Sequence, residues 1–315
     1  MRKAKGMMFA IISALIFGFT PIMVRETLSN GSNVIMTSFL RGFFVIPFLI
    51  ISLKSRNVSL KVTKQELKKL LLMCSIGGCI TMTMLYASYQ YISVGLATSI
   101  HFIFPTIVTV YSVLFLNEKM TKYKFISLIA SIIGVILLAN NVGGSSNFPL
   151  GLFLAVASGC TYSFYLIYMD VSGLKYMDSV KVTFYNCMIN STMLLIFGLI
   201  TGDFTLSLSK YAWIIAFVIS ILVSVFGTLF IQLAIVNAGV STYTIFSTLE
   251  PITSVILGIV LFNETTDPRR LLGCFMIFLS VMILALSTRF QERKAKGRVN
   301  NEWCWKIKTN CRTKR

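Results

Sequence analysis

Phe104-Pro105 is followed by Phe115-Leu116-Asn117-Glu118, and 146 residues later Glu250-Pro251 is followed by Leu261-Phe262-Asn263-Glu264. Both copies lie in apolar stretches long enough to cross a bilayer, and each is followed by a further such stretch. Read this way, each half of the chain holds five spans. An odd-numbered unit that is duplicated enters the bilayer upside down the second time. The repeat therefore restricts the chain to two halves of opposite topology, an organisation used by proteins that move solutes.

The register of the repeat drifts slightly. At an offset of 145, Gly6, Ala10 and Ser13 meet Gly151, Ala155 and Ser158, and at 144 Gly95 meets Gly239. Small insertions in the connections account for the drift. Asn140 to Asn147, rich in Asn, Gly and Ser, is the natural joint.

Composition fixes the class. Hydrophobic residues make up 56% of the 315 residues and charged ones 13%, against about a quarter charged in soluble domains. A bilayer core needs about 20 apolar residues per helix. Ten segments qualify: Met7 to Val24, Asn33 to Leu53, Leu70 to Ile92, Leu96 to Leu116, Lys124 to Ala139, Leu150 to Met169, Val180 to Ile200, Trp213 to Val236, Val240 to Phe262 and Leu271 to Leu286. They are continuous apolar runs, not the short alternating strands of a membrane barrel. Met1 to Lys5 and the following run read as a first span, because no small-x-small cleavage site follows before Pro21 and Arg25.

Basic residues set the orientation. With the N-terminus inside, 24 Lys and Arg fall in inside segments and 4 in outside ones, with Arg41 within a span. Both termini are therefore expected in the cytoplasm, in a plasma (inner) membrane. The net charge of +18 is read as this bias and not as a nucleic-acid footprint. The tail from residue 289 to 315, with Trp303 and Trp305, reads as an anchor at anionic lipid headgroups. Five of the seven cysteines lie in apolar spans and no Cys-x-x-Cys occurs. With a single histidine, no metal site or other cofactor is expected.

Together these residues resemble the EamA-type transporters of the drug/metabolite transporter superfamily. Pro105 with Glu118 and Pro251 with Glu264 match the proline and closing glutamate of the fourth helix of each EamA repeat. Arg41 matches an arginine of the second helix, and Glu250 a glutamate before the second proline. The chain departs where Phe104 stands opposite Glu250 and Asn186 opposite Arg41. The resemblance implies an all-α integral membrane protein of ten transmembrane helices in two inverted five-helix repeats, 6–140 and 149–288. It implies secondary transport of small organic metabolites, amino-acid-like solutes or drugs, with export as the direction. Helices five and ten are expected at the periphery.

The candidate substrate-binding residues are the polar groups within the spans. Charge in hydrocarbon costs at least a few kcal/mol and persists where it faces a cavity or a partner. Arg41 is expected to neutralise a carboxylate or phosphate, to pair with Glu250, or to serve as a structural pin. Glu250 precedes a helix-kinking proline and is a candidate for proton exchange, or for a structural ion pair. His101 lies one turn before Pro105 and is a candidate proton relay or a packing residue. Tyr86 with Gln90, Asn186 with Asn190, and Ser220, Ser224, Thr228 and Gln232 form polar stripes at four-residue spacing. They line a cavity or join helices. Tyr162 and Tyr165 add aromatic walls. Ser127, Ala130, Ser131 and Gly134 form a small-residue packing face. The partners expected are a small organic solute, membrane lipid and a coupling proton. Neither a Gly-x-Ser-x-Gly elbow nor a His-Glu-x-x-His motif occurs, so the chain is not expected to be an enzyme, and an embedded enzyme is kept as a rival reading. A structural or signalling membrane protein is another.

Overall fold

The computed structural model describes residues 2–115, 120–139, 147–227, 249–262 and 271–283, with the isolated positions 230, 233–234, 237, 246 and 268–269. Every regular element among the described residues is helical. In chain order they are α1 (Arg2–Ser29), α2 (Val34–Phe43), α3 (Ile46–Ser55), α4 (Lys64–Leu72), α5 (Thr81–Ser88), α6 (Val94–His101) and α7 (Phe104–Phe115). Then follow α8 (Lys122–Ala139), α9 (Phe148–Val171), α10 (Ser179–Thr201), α11 (Lys210–Ile219) and α12 (Leu249–Phe262), and α13 (Leu271–Ile283).

Seven helical stretches are long and apolar enough to cross a membrane: Ala4–Ser29, Val34–Ser55, Lys64–Ser88, Val94–Phe115, Phe148–Met169, Ser179–Thr201 and Lys210–Gly227. The helices α8, α12 and α13 lie where the fifth, ninth and tenth spans are expected. The third span starts earlier than its apolar run, at Lys64 and not Leu70. Thr63 and Glu66 explain this. The Thr63 hydroxyl accepts from the Glu66 N–H, and the Glu66 carboxylate accepts from the Thr63 N–H, a reciprocal cap that starts the helix in its charged first turns.

Two spans are broken within the bundle. Phe44 and Val45 separate α2 from α3, just before Pro47, and Phe102 and Ile103 separate α6 from α7, just before Pro105. Proline lacks an N–H for the carbonyl four residues back and its ring crowds that carbonyl. Ser163 of α9 donates to the carbonyl of Phe104 at 3.2 Å. Pro251 stands in the first turn of α12, as α12 is described from Leu249.

The third and eighth spans share a rarer feature. Met73–Ile80 links α4 to α5 as a π-helix of 8 residues, and Ser220–Gly227 continues α11 as another of 8 residues. They start 147 residues apart, so the wider winding recurs at the spacing of the sequence repeat. Such windings are uncommon and concentrate at functional positions. In the first, Gly77 packs on Tyr165 of α9, and a Cβ on Gly78 would lie 2.5 Å from the Asn186 amide oxygen of α10. Side chains at these two positions would push α9 and α10 away.

Contacts between the halves come in matched pairs. Ser127 donates to the Ser280 carbonyl at 2.9 Å, and Ser280 donates back to the Ser127 carbonyl at 2.8 Å. Shifted by 146, this pair becomes Gly273 and Gly134, and a Cβ on Gly134 would lie 2.9 Å from the Gly273 carbonyl. The small-residue face of α8 thus packs closely on α13. Likewise a Cβ on Gly18 of α1 would lie 2.9 Å from the Glu250 carbonyl. The matching crossing in the other half is the Ser163 to Phe104 hydrogen bond. Large apolar side chains such as Phe153, Ile200, Ile214 and Phe275 are exposed on the outside of the bundle, as contact with lipid requires.

Candidate functional site

The break after α2 leaves Arg41 in the last turn of that helix. Its carbonyl accepts from the Ser220 hydroxyl of the eighth span at 2.8 Å, which fixes the backbone there. The guanidinium reaches across to α5. Nη1 donates to the Tyr86 hydroxyl and to the Met82 sulfur at 3.1 Å, and the guanidinium carbon stands 5.9 Å from the Tyr86 ring centroid. Tyr86 is 1% exposed, so this partner is fixed and dry. A phenol and a thioether do not neutralise a guanidinium.

Glu250 approaches from the other half, on the first turn of α12. Gly18 lets α1 close onto that turn, and the Ser254 hydroxyl donates to the Gly18 carbonyl at 3.0 Å. Glu250 lies within electrostatic range of Arg41, and Tyr89 and Tyr162 lie within range of both. Yet among the described residues the Glu250 carboxylate forms no hydrogen bond or salt bridge; the inter-residue salt bridge described is that of Arg56 with Asp178. The two opposite charges share one region of the interior without direct contact.

Aromatic rings surround them. Tyr162 of α9 meets Phe104 edge-on at 4.8 Å, His101 at 5.4 Å and Tyr165 face-on at 6.0 Å between centroids. His101 is buried, with Nδ1 at 2.9 Å from the Ser158 hydroxyl oxygen. That hydroxyl donates to the Ala155 carbonyl at 2.7 Å. A hydroxyl has one proton, so both bonds are satisfied when Nδ1 carries the hydrogen and donates to Ser158. Nε2 is then the acceptor nitrogen of a ring tilted against Tyr162.

The other predicted residues divide. Asn186 accepts from Asn190 at 3.3 Å and packs on Gly78, joining α10 to the first π-helix rather than to the Arg41 cluster. Gln90 is exposed in the turn beyond α5, where the chain closes with Gln90 N–H to the Ala87 carbonyl at 3.1 Å. Gln232, Thr228, Glu118 and Glu264 lie outside the described residues, as do the joint at 140–146 and the tail. Sequence reasoning passed over Tyr89, 5% exposed, whose hydroxyl has no hydrogen-bond partner by distance and angle. The signal was available: Tyr86 and Tyr89 stand three apart and share a helix face. Among the described residues no group of three His, Cys, Asp or Glu could hold a metal ion.

Residues 4–140 and 149–286 each match the model of the EamA-like transporter family. An uncharacterized transporter of Bacillus subtilis, YvbV, is 26% identical over 75% of this chain and 79% of its own length. An uncharacterized transporter of Archaeoglobus fulgidus is 23% identical over 87% of this chain and 93% of its own. The UDP-galactose/UDP-glucose transporter 7 of Arabidopsis thaliana is 30% identical over 56% of each. A solved crystal structure overlays on 92% of this chain and 100% of its own with a TM-score of 0.62 at 14% identity, a likeness of fold alone.

Proposed function

Because the chain belongs to the EamA-like transporter family, we propose that it carries a small organic solute across a membrane as a secondary transporter, by alternating access and in the direction of export. The proposal includes ten spans in two inverted five-helix halves. Both termini lie in the cytoplasm and the plasma (inner) membrane is the site, on the strength of the 24 to 4 bias in Lys and Arg. The matched contacts between α8 and α13, and of α1 on α12 with α9 on α7, support the inverted pairing.

The observation that carries the reading is the meeting of Arg41 and Glu250 from opposite halves without a direct bond. An unpaired charge in a desolvated interior is costly, and a bound group of opposite sign relieves it. Arg41 carries N–H donors beyond the Nη1 bonds to Tyr86 and Met82, in a geometry suited to a carboxylate or phosphate. Glu250 suits a cationic group, or takes up the coupling proton when the site is empty. A solute with both charges, amino-acid-like in this sense, satisfies the two ends at once. The Arabidopsis relative is named for UDP-sugars. A diphosphate here would lie in the field of Glu250, so that class fits this site less well. Tyr86, Tyr89, Tyr162 and the His101 ring supply the walls.

The test is transport by purified protein in liposomes, with the solute first found by thermal shift against amino acids, sugars and nucleosides. Glu250→Gln and Arg41→Ala proteins are expected to reach the membrane and fail to transport. Full activity in both would remove the pair from the site.

A further inference from the structure

Residues 57–63 join α3 to α4 without helical structure. Asn57 turns the chain at a φ of 54°, a left-handed conformation that Asn tolerates better than most residues. Beyond it Val58, Leu60 and Val62 are half-buried while Ser59, Lys61 and Thr63 are exposed. That alternation is an extended strip with one apolar edge. The apolar edge packs against a buried cluster built from both halves, with Leu53, Leu70 and Cys74 on one side and Leu174, Val182 and Tyr185 on the other.

Side chains of the second half also hold the strip's backbone. Tyr185 donates to the Leu60 carbonyl at 2.6 Å and Lys181 donates to the Lys61 carbonyl at 2.7 Å. Arg56 pairs with one carboxylate oxygen of Asp178 at 2.6 Å, while the other oxygen caps α10 by accepting from Val180 N–H at 3.0 Å and Lys181 N–H at 3.1 Å. Lys69 of α4 reaches the Ser172 carbonyl at 2.7 Å. None of these is a strand ladder. Each is a side chain on a carbonyl or a partly exposed ion pair, and water can replace it at little cost. The links cluster at the Arg56 end of the bundle. At the Asn33 end the halves are joined by Asn33 to the Asp203 carbonyl and by Ser209 N–H to the Asn30 carbonyl at 3.4 Å.

We propose that residues 57–63 are a strap that closes the Arg56 end of the bundle in this conformation and lifts to open the solute path at that end. The opening step rests on the transport reading above; the closure does not. A strap held by three apolar side chains and two replaceable bonds to its carbonyls, with the Arg56–Asp178 and Lys69–Ser172 links flanking it, can release without unfolding the helices on either side.

The test has two arms. In the first, Leu60→Ser with Asp178→Asn loosens the strap and keeps an oxygen for the α10 cap. Reaction of the native thiols with N-ethylmaleimide is followed by mass spectrometry. Cys74 and Cys187, members of the apolar cluster against which the strap's side chains pack, are expected to react about tenfold faster or more, with Cys274 unchanged as the reference for overall looseness. Unchanged rates at Cys74 and Cys187, or an equal rise at Cys274, overturn the proposal. This arm reads no transport and holds even if the chain carries no solute. In the second arm, Arg56→Cys with Asp178→Cys, in a background with the other cysteines replaced, is bridged by a reducible bifunctional thiol reagent. Transport is expected to stop on bridging and return on reduction. Full transport by the bridged protein overturns the lifting step. Absence of transport before bridging sinks the transport reading instead.

Discussion

Gly42 on α2 lies against Cys187 on α10, the residue 145 positions further along, so the halves meet at the same point of their own sequences. A residue that touches its own counterpart lies near the axis relating the two copies, as at an isologous dimer interface. Arg41, one residue before Gly42, has Asn186 as its counterpart. The arginine thus stands beside the axis, at the centre of the bundle, and only one copy of the repeat carries the charge.

Enlarging Gly42 should force α2 and α10 apart. A Cβ there would lie 2.5 Å from the Ser191 hydroxyl and 3.2 Å from the Cys187 carbonyl. Gly42→Val is expected to lower stability by about 1–3 kcal/mol through overpacking, with Gly42→Ala milder. Thermal unfolding in detergent checks this, and an unchanged midpoint for Gly42→Val would deny the close crossing.

Ser127 and Ser280 form a reciprocal pair, 3.1 Å between hydroxyl oxygens, each donating to the other's carbonyl. Interhelical bonds of this kind within membranes are worth about 0.6 kcal/mol in double-mutant cycles. Ser127→Ala and Ser280→Ala are expected to couple by about that amount. Strict additivity would mean that α8 and α13 are held by packing alone.

These two contacts mark what could be read in advance. The small-residue face of the fifth span was visible because Ser, Ala and Gly recur at helical spacing, and close approach is what such residues permit. The partner face on α13 was not, because Ser280 is a lone polar residue in an apolar run. The Gly18, Gly42 and Gly78 crossings were likewise hidden, since nothing local says which helix a glycine meets. The break between α6 and α7 falls just before Pro105 in a run that was read as one span, and the π-windings carry no residue signature of their own. At the site, Arg41 and Glu250 stood out as charges in hydrocarbon. Tyr89 escaped notice because the four-residue spacing of Tyr86 and Gln90 drew the stripe past it, although it shares a face with Tyr86.

Tyr86 holds the guanidinium of Arg41 in place. Tyr86→Phe removes the hydroxyl and leaves the Met82 sulfur as the described side-chain acceptor. Loss of one such bond is worth about 1 kcal/mol, so solute affinity is expected to weaken about fivefold with the protein still folded. Arg41→Lys should lose more, because an ammonium lacks the planar fork. Calorimetric titration with the solute checks both, and wild-type affinity in Tyr86→Phe would detach Tyr86 from the site.

Asp178 has two separable tasks. Its pairing with Arg56 is partly exposed, at 48% for Arg56 and 23% for Asp178. Asp178→Asn keeps the α10 cap and should cost about 0.5 kcal/mol or less, vanishing at high salt. Asp178→Ala loses the cap as well and should cost about 1 kcal/mol more. Denaturation midpoints at low and high ionic strength distinguish them, and equal effects of Asn and Ala would deny the cap.

The most direct test of the proposed inverted halves is the sidedness of two equivalent loops. Ser59 lies beyond the Arg56 end of α3 and Ser207 beside Gly31 at the other end of the second span, and both are exposed. With the native cysteines replaced, Ser59→Cys and Ser207→Cys are each treated in intact cells with a membrane-impermeant maleimide. Oppositely threaded halves predict that Ser207→Cys reacts at once and Ser59→Cys only after the cells are permeabilised. Reaction of both from the same side of the membrane would contradict it.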